Sequence, residues 1–188
     1  MHTARIAVVI AGGLGLGVLL GACTSGQHSQ PTPTTTVPTI AGDPLDMSQV
    51  STRPCALLRP DQLAQYHLTV PGTMITITGV PGCAWTPQAA DLPSYQAGVD
   101  LHSGGLAALY RRRASMPIFQ PTSVSEYPAV HTAIGRGRCT VQVGVANDTL
   151  VIVNVAVPNT QSPDYTDPCD DADTFAADII ADGEGTAP

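Results

Sequence analysis

The side chains best suited to acid–base or nucleophilic chemistry come closest together at Asp100, His102 and Ser103. A carboxylate that orients an imidazole, which then takes a proton from a hydroxyl, is the arrangement that activates a serine. The surrounding pattern works against it. Tyr95, Ala97, Val99 and Leu101 alternate with Gln96, Gly98, Asp100 and His102, the period of a strand with one apolar and one polar face. Asp100 and His102 then share the polar face, while Ser103 falls on the other face or at the start of a helix, where its hydroxyl is a ready N-cap. Asp100 and His102 are the only catalytic candidates that can be named, and no catalytic residue is assigned. His67 and His131 have no second ligand at a metal-like spacing. Asp170, Asp171 and Asp173 lack the loop glycine and distal acid of a calcium loop, and helix-start preference accounts for them. The chain contains no lysine, which removes Schiff-base chemistry. Its formal charge of −7 disfavours nucleic acid as a partner, and Arg111, Arg112 and Arg113 fan around a helix as a solvated face. GxSxG, HExxH and P-loop patterns do not occur after the N-terminal segment, and neither metal nor cofactor is expected.

The first residues carry the most specific signal. His2 and Arg5 precede an apolar run from Ile6 to Leu20, too short and glycine-rich for a confident membrane span, followed by Leu20-Gly21-Ala22-Cys23. Small residues ahead of a cysteine at the end of an apolar run resemble the lipobox of bacterial lipoprotein signal peptides. That resemblance implies that residues 1–22 are a signal peptide and that Cys23 becomes the lipidated N-terminus, held at the outer face of the cell membrane. Residues 23–46, with the run PTPTTTVPT, read as a Thr/Pro-rich tether stiffened by proline, and residues 47–188 as one folded domain.

Without Cys23 four cysteines remain, Cys55, Cys83, Cys139 and Cys169, in a compartment where disulfides persist. None has a cysteine partner within four positions, so the closely spaced ligand pairs of a zinc site are missing. Three pairings are open. Cys83 and Cys139 both sit in strand-like segments, while Cys55 and Cys169 each follow a proline at a helix start. On that context the expected bridges are Cys83 with Cys139 and Cys55 with Cys169.

The elements that must position these residues follow from periodicity. Cys139-Thr-Val-Gln-Val-Gly-Val145 alternates, Asn147-Asp148 supplies a turn that tolerates positive φ, and Leu150–Val157 returns apolar on both faces except at Asn154. That return strand belongs inside a sheet with something packed on each side. Leu68–Val70, Met74–Thr78 and Cys83–Trp85 also read as strands, and Phe119–Val130 as a proline-interrupted edge segment. Helices are expected over Pro60–Tyr66, over Gly104–Ser115 capped by Ser103, and from Pro168 capped by Asp167, with Cys169, Ala172, Ala176 and Ile179 facing inward and Gly183–Pro188 frayed. Trp85, the only tryptophan, is expected in the core beside a disulfide. The fold class is α+β: an antiparallel sheet of five to six strands with two to three helices packed on it, in a single disulfide-stapled domain.

The motifs PCALLRPDQL, PGCAW, GVDLHSGGLAALY, RCTVQVGV and DPCDDADTFAADII, in this order, resemble a domain-of-unknown-function family of secreted actinobacterial lipoproteins of mycobacterial type, of which GCxW is the most specific element. The resemblance covers the whole domain and departs from the family at Glu126, where many relatives carry glycine before a similar Pro-Ala. It implies a lipid anchor, an extracytoplasmic place and paired cysteines, and it transfers no catalytic residue. The expected role is a non-catalytic module that binds an envelope protein or an apolar small molecule. A cell-envelope hydrolase or transferase and a structural wall spacer are the alternatives.

Overall fold

The computed structural model describes residues 36–158 and 167–185; residues 1–22, Cys23 and most of the tether lie outside them. Seven strands, β1 (Thr73–Ile77), β2 (Val80–Trp85), β3 (Ser94–Asp100), β4 (Gln120–Val124), β5 (Tyr127–Gly135), β6 (Arg138–Gly144) and β7 (Leu150–Ala156), form one antiparallel sheet in the order β1-β2-β3-β7-β6-β5-β4. Four α-helices accompany it among the described residues: α1 (Ser48–Ser51), α2 (Pro60–Gln65), α3 (Gly105–Arg112) and α4 (Pro168–Gly185), with short 3-10 turns at Pro54–Ala56 and Arg113–Ser115.

β7 is the fourth of the seven strands, and both of its faces are covered. Val151, Val153 and Val155 pair across to Val143, Val141 and Cys139 on β6 and to Val99, Ala97 and Tyr95 on β3, one continuous apolar surface. On it lies α4, through Ala172, Phe175, Ala176, Ile179 and Ile180, all at most 1% exposed. Phe175 is stacked on Tyr95, with ring centroids 4.6 Å apart, and also meets Trp85 and Tyr66. The opposite face offers Leu150 and Ile152 to Leu106, Leu109 and Tyr110 of α3. Asn154, on that second face, is matched by Thr140 Oγ1, which donates to its Oδ1 at 2.7 Å.

The sequence expectations differ in instructive ways. The strand count exceeds five to six because the single edge segment expected over Phe119–Val130 is two strands. They turn at Ser125-Glu126, with Ser125 in the left-handed region at φ 53° and Val124 paired to Tyr127. Glu126 itself has no positive φ, so the turn makes no demand for glycine there. Leu68–Val70 is no strand; it makes one bridge, Leu68 to Pro87, and ends at a cis Val70–Pro71 bond. Asn147 and Asp148 do sit at the corner of the β6–β7 turn, closed by Thr149 N–H donating to the Ala146 carbonyl at 3.3 Å, but neither has positive φ, because residues 145–149 span a wider loop than a two-residue hairpin. Ser103 does not cap α3. Gly104, at φ 78°, holds that place, and Gly105 at φ 58° passes so near the Asn147 carbonyl that a Cβ would stand 2.4 Å from it. Asp167 does cap α4, its Oδ1 accepting from Cys169 N–H at 2.9 Å, and the helix continues through Gly185 rather than fraying at Gly183.

The folded body also begins earlier than residue 47. Leu45 is buried and its amide donates to the Val145 carbonyl at 3.0 Å, and Ile40 packs on the same core, so the end of the tether is stitched to the sheet.

The disulfides are Cys55–Cys83 and Cys139–Cys169, both different from the pairing expected from context. The reason is topological. β3 and β7 lie between β2 and β6, so Cys83 and Cys139 are three strand spacings apart, roughly 14 Å, far beyond disulfide reach. Each cysteine instead bonds to the helical turn lying over its own strand: the Pro54–Ala56 turn over β2 and the start of α4 over β6. Each bridge closes a loop of sequence separation 28 or 30, for which loop-closure entropy stabilises by roughly 3.5 kcal/mol. Peptide mapping without reduction is expected to recover these two linkages, and Cys139→Ala/Cys169→Ala to lose about 2–4 kcal/mol in denaturant unfolding. A linked Cys83–Cys139 peptide would refute the register.

Candidate functional site

The histidines and acids of interest are committed to structure. Asp100 ends β3 only 6% exposed, and its Oδ1 accepts from the amides of His102 at 2.9 Å and Ser103 at 3.0 Å. The carboxylate thus closes the turn into α3 and also holds the Ser103 side chain, while His102 is exposed. Burial raises the Asp100 pKa, but hydrogen bonds from Ser103 and His102 outweigh it, and the net shift is downward. His67 takes the left-handed position after α2, at φ 54°. Its amide donates to Ala64 and that of Leu68 to Leu63, the double closure of a helix C-terminus that glycine usually makes. His131 on β5 meets Asp173 on α4, Nε2 to Oδ1 at 2.8 Å, beside the Cys139–Cys169 bridge. With both sulfurs in a disulfide, this group offers no thiolate to a metal.

The concave surfaces lie elsewhere. A cleft of about 1090 Å³ opens where residues 42–59 cross the end of α4 and the β4–β5 turn. Its apolar lining comes from Leu45, Met47, Val50, Leu57 and Ile179; its charged lining is Asp43, Asp46, Glu126, Asp182 and Glu184 against Arg53 and Arg59. Arg59 is held by Asp182 and, through Nε, by Asp61 at 3.4 Å. Tyr127 anchors the far wall, its hydroxyl 2.9 Å from the Asp43 carbonyl oxygen and 3.3 Å from Glu184 Oε1, with burial and then Glu184 raising its pKa.

On the other side of Arg59 and Ala56 runs a second groove, of about 520 Å³, between the Pro54–Ala56 turn, α2 and residues 70–72. Among the described residues Arg59 is its only charged lining residue. Val70 and Met74, 52% and 56% exposed, are the large hydrophobic side chains left in solvent among the described residues. Behind Gly72 stands Trp85: a Cβ on Gly72 would be 2.7 Å from the indole nitrogen and 2.4 Å from Cys83 Sγ. That indole N–H is buried and has no acceptor among the described residues.

Neither concavity was foreseen from sequence, because each draws on segments far apart in the chain. The one local signal was the alternation of Leu45 and Met47 with Pro44 and Asp46 inside an otherwise polar stretch. Among the described residues no helix is long and apolar enough to cross a membrane.

Asp100→Ala is expected to destabilise the chain by about 1.5–3 kcal/mol at neutral pH, the cost of removing a charged acceptor from two amides. Because the folded pKa is lowered, this contribution is present above the ordinary carboxylate range and is lost as pH falls through it. Wild type and variant should therefore converge in acid-unfolding measurements; a gap that stays constant down to low pH would contradict the role given to the carboxylate.

No curated protein and no solved structure matches the chain. A family described as proteins of unknown function, DUF3558, matches over residues 18–182, most of the chain, and the protein belongs to that family.

Proposed function

We propose that the mature chain is a lipid-anchored extracytoplasmic binding module that engages an envelope protein through the cleft between residues 42–59 and the end of α4. One observation carries the reading. The cleft combines an apolar floor with acids in excess of cations, and is thus shaped and charged for a partner segment that brings apolar and basic side chains together. The lipobox-like Leu20-Gly21-Ala22-Cys23 and the tether support the anchor. Asp100, spent on two amides, supports a non-catalytic role.

Two measurements test it. Cys23→Ser is expected to move the protein from the membrane fraction to the soluble one and to abolish incorporation of labelled acyl chains; unchanged fractionation would remove the anchor. A photocrosslinker at Gln49, in the cleft wall, is expected to trap a defined envelope protein in cells, and Asp46→Lys/Glu184→Lys to reduce that crosslink at least about tenfold by inverting the cleft's charge. A crosslink indifferent to the charge reversal, or none, would sink the cleft as the binding site.

A further inference from the structure

We propose that the groove beside the Cys55–Cys83 bridge binds a single long aliphatic chain, the acyl chain of a free fatty acid. The inference is independent of the lipid anchor and of the protein-binding cleft.

The volume of about 520 Å³ lies within the range of small-molecule pockets. Leu58, Leu63, Val70 and the two prolines Pro60 and Pro71 make its walls apolar. Those prolines also decide against a peptide. Neither has an N–H, and a peptide laid in the groove would bury backbone amides and carbonyls with few partners, a cost that a methylene chain does not incur. Met74, whose sulfur lies 3.8 Å from Cys55 Sγ, extends the apolar surface of Val70 beyond the groove. Their exposure, the highest among large hydrophobics in the described residues, is what an occupant would relieve. Arg59 supplies the polar end. Asp182 and Asp61 each take one nitrogen of its guanidinium, which carries five N–H donors, so donors remain for the oxygens of a carboxyl group. The groove's inner wall at Gly72 is backed by the indole of Trp85, whose N–H has no acceptor among the described residues.

Trp85 is the only tryptophan in the chain, so the site contains its own reporter. The mature protein, with its disulfides intact, is titrated with a long-chain fatty acid brominated along its chain, and tryptophan emission is followed. The expected result is saturable quenching at one equivalent, reversed by the unbrominated acid. Val70→Glu and Met74→Glu, at exposed positions that do not disturb the core, should each weaken the quenching about tenfold or more by placing a charge against the chain. Absence of quenching overturns the proposal, as does quenching that both variants leave unchanged. Quenching seen only with brominated phosphatidylcholine vesicles, and not with the monomeric acid, overturns it in favour of contact with a bilayer surface. Displacement of the acid by Asp46→Lys/Glu184→Lys would also count against it, since that pair lines only the other cavity.

Discussion

Both faces of β7 have to be kept from water, and the architecture follows from that requirement. Six of its seven residues are apolar, and they alternate between the α4 side and the α3 side of the sheet. Each such side chain is worth roughly 1.5–3 kcal/mol when fully buried, so a bare face would cost an amount comparable to a typical domain's net stability. A helix is therefore needed on each side. α4 covers one with Phe175 and its small neighbours Ala172 and Ala176, which let the helix approach the strands closely. α3 covers the other only over Leu150 and Ile152. Where its coverage ends, Asn154 replaces an aliphatic residue and is joined to Thr140 and Gln96.

The two disulfides belong to the same economy. Each ties a helical turn to the strand beneath it, Cys55 to β2 and Cys169 to β6, so the covering layer is held where the buried strands need it. His131–Asp173 adds a second tie between α4 and the sheet at the same end, and Tyr66–Asp178 ties the end of α2 to α4. The covering layer does not close completely at the Pro54–Ala56 turn, and both concavities open on either side of Ala56 and Arg59. The centre of the sheet is covered on both sides, and the recesses lie where the N-terminal segment joins.

Much of this was readable in advance wherever the signal was local. The β6–β7 hairpin, the strand through Val99, the helix capped by Asp167 and the inward stripe of α4 all rest on periodicity or capping within a few residues, and they are present. The failures were failures of geometry at a distance. Ser103 has the chemistry of a cap, yet it lies one residue too early: Gly104 takes the N-cap position, and Ser103 instead gives its amide to Asp100. Cys83 and Cys139 both lie in strands, as expected, but being in strands says nothing about which strands stand between them.

From residues alone came the α+β class, the positions of α2, α3, α4 and the β6–β7 hairpin to within a few residues, the even set of four cysteines after Cys23 and the absence of known catalytic patterns, because each depends on short-range chemistry or on simple counting. Only the tertiary structure decided the order of the sheet, and with it the pairing of the cysteines, the use of Asp100 as a turn acceptor and the position of both recesses. Those depend on β7, late in the chain, inserting between β3 and β6, and no local pattern encodes where a strand inserts.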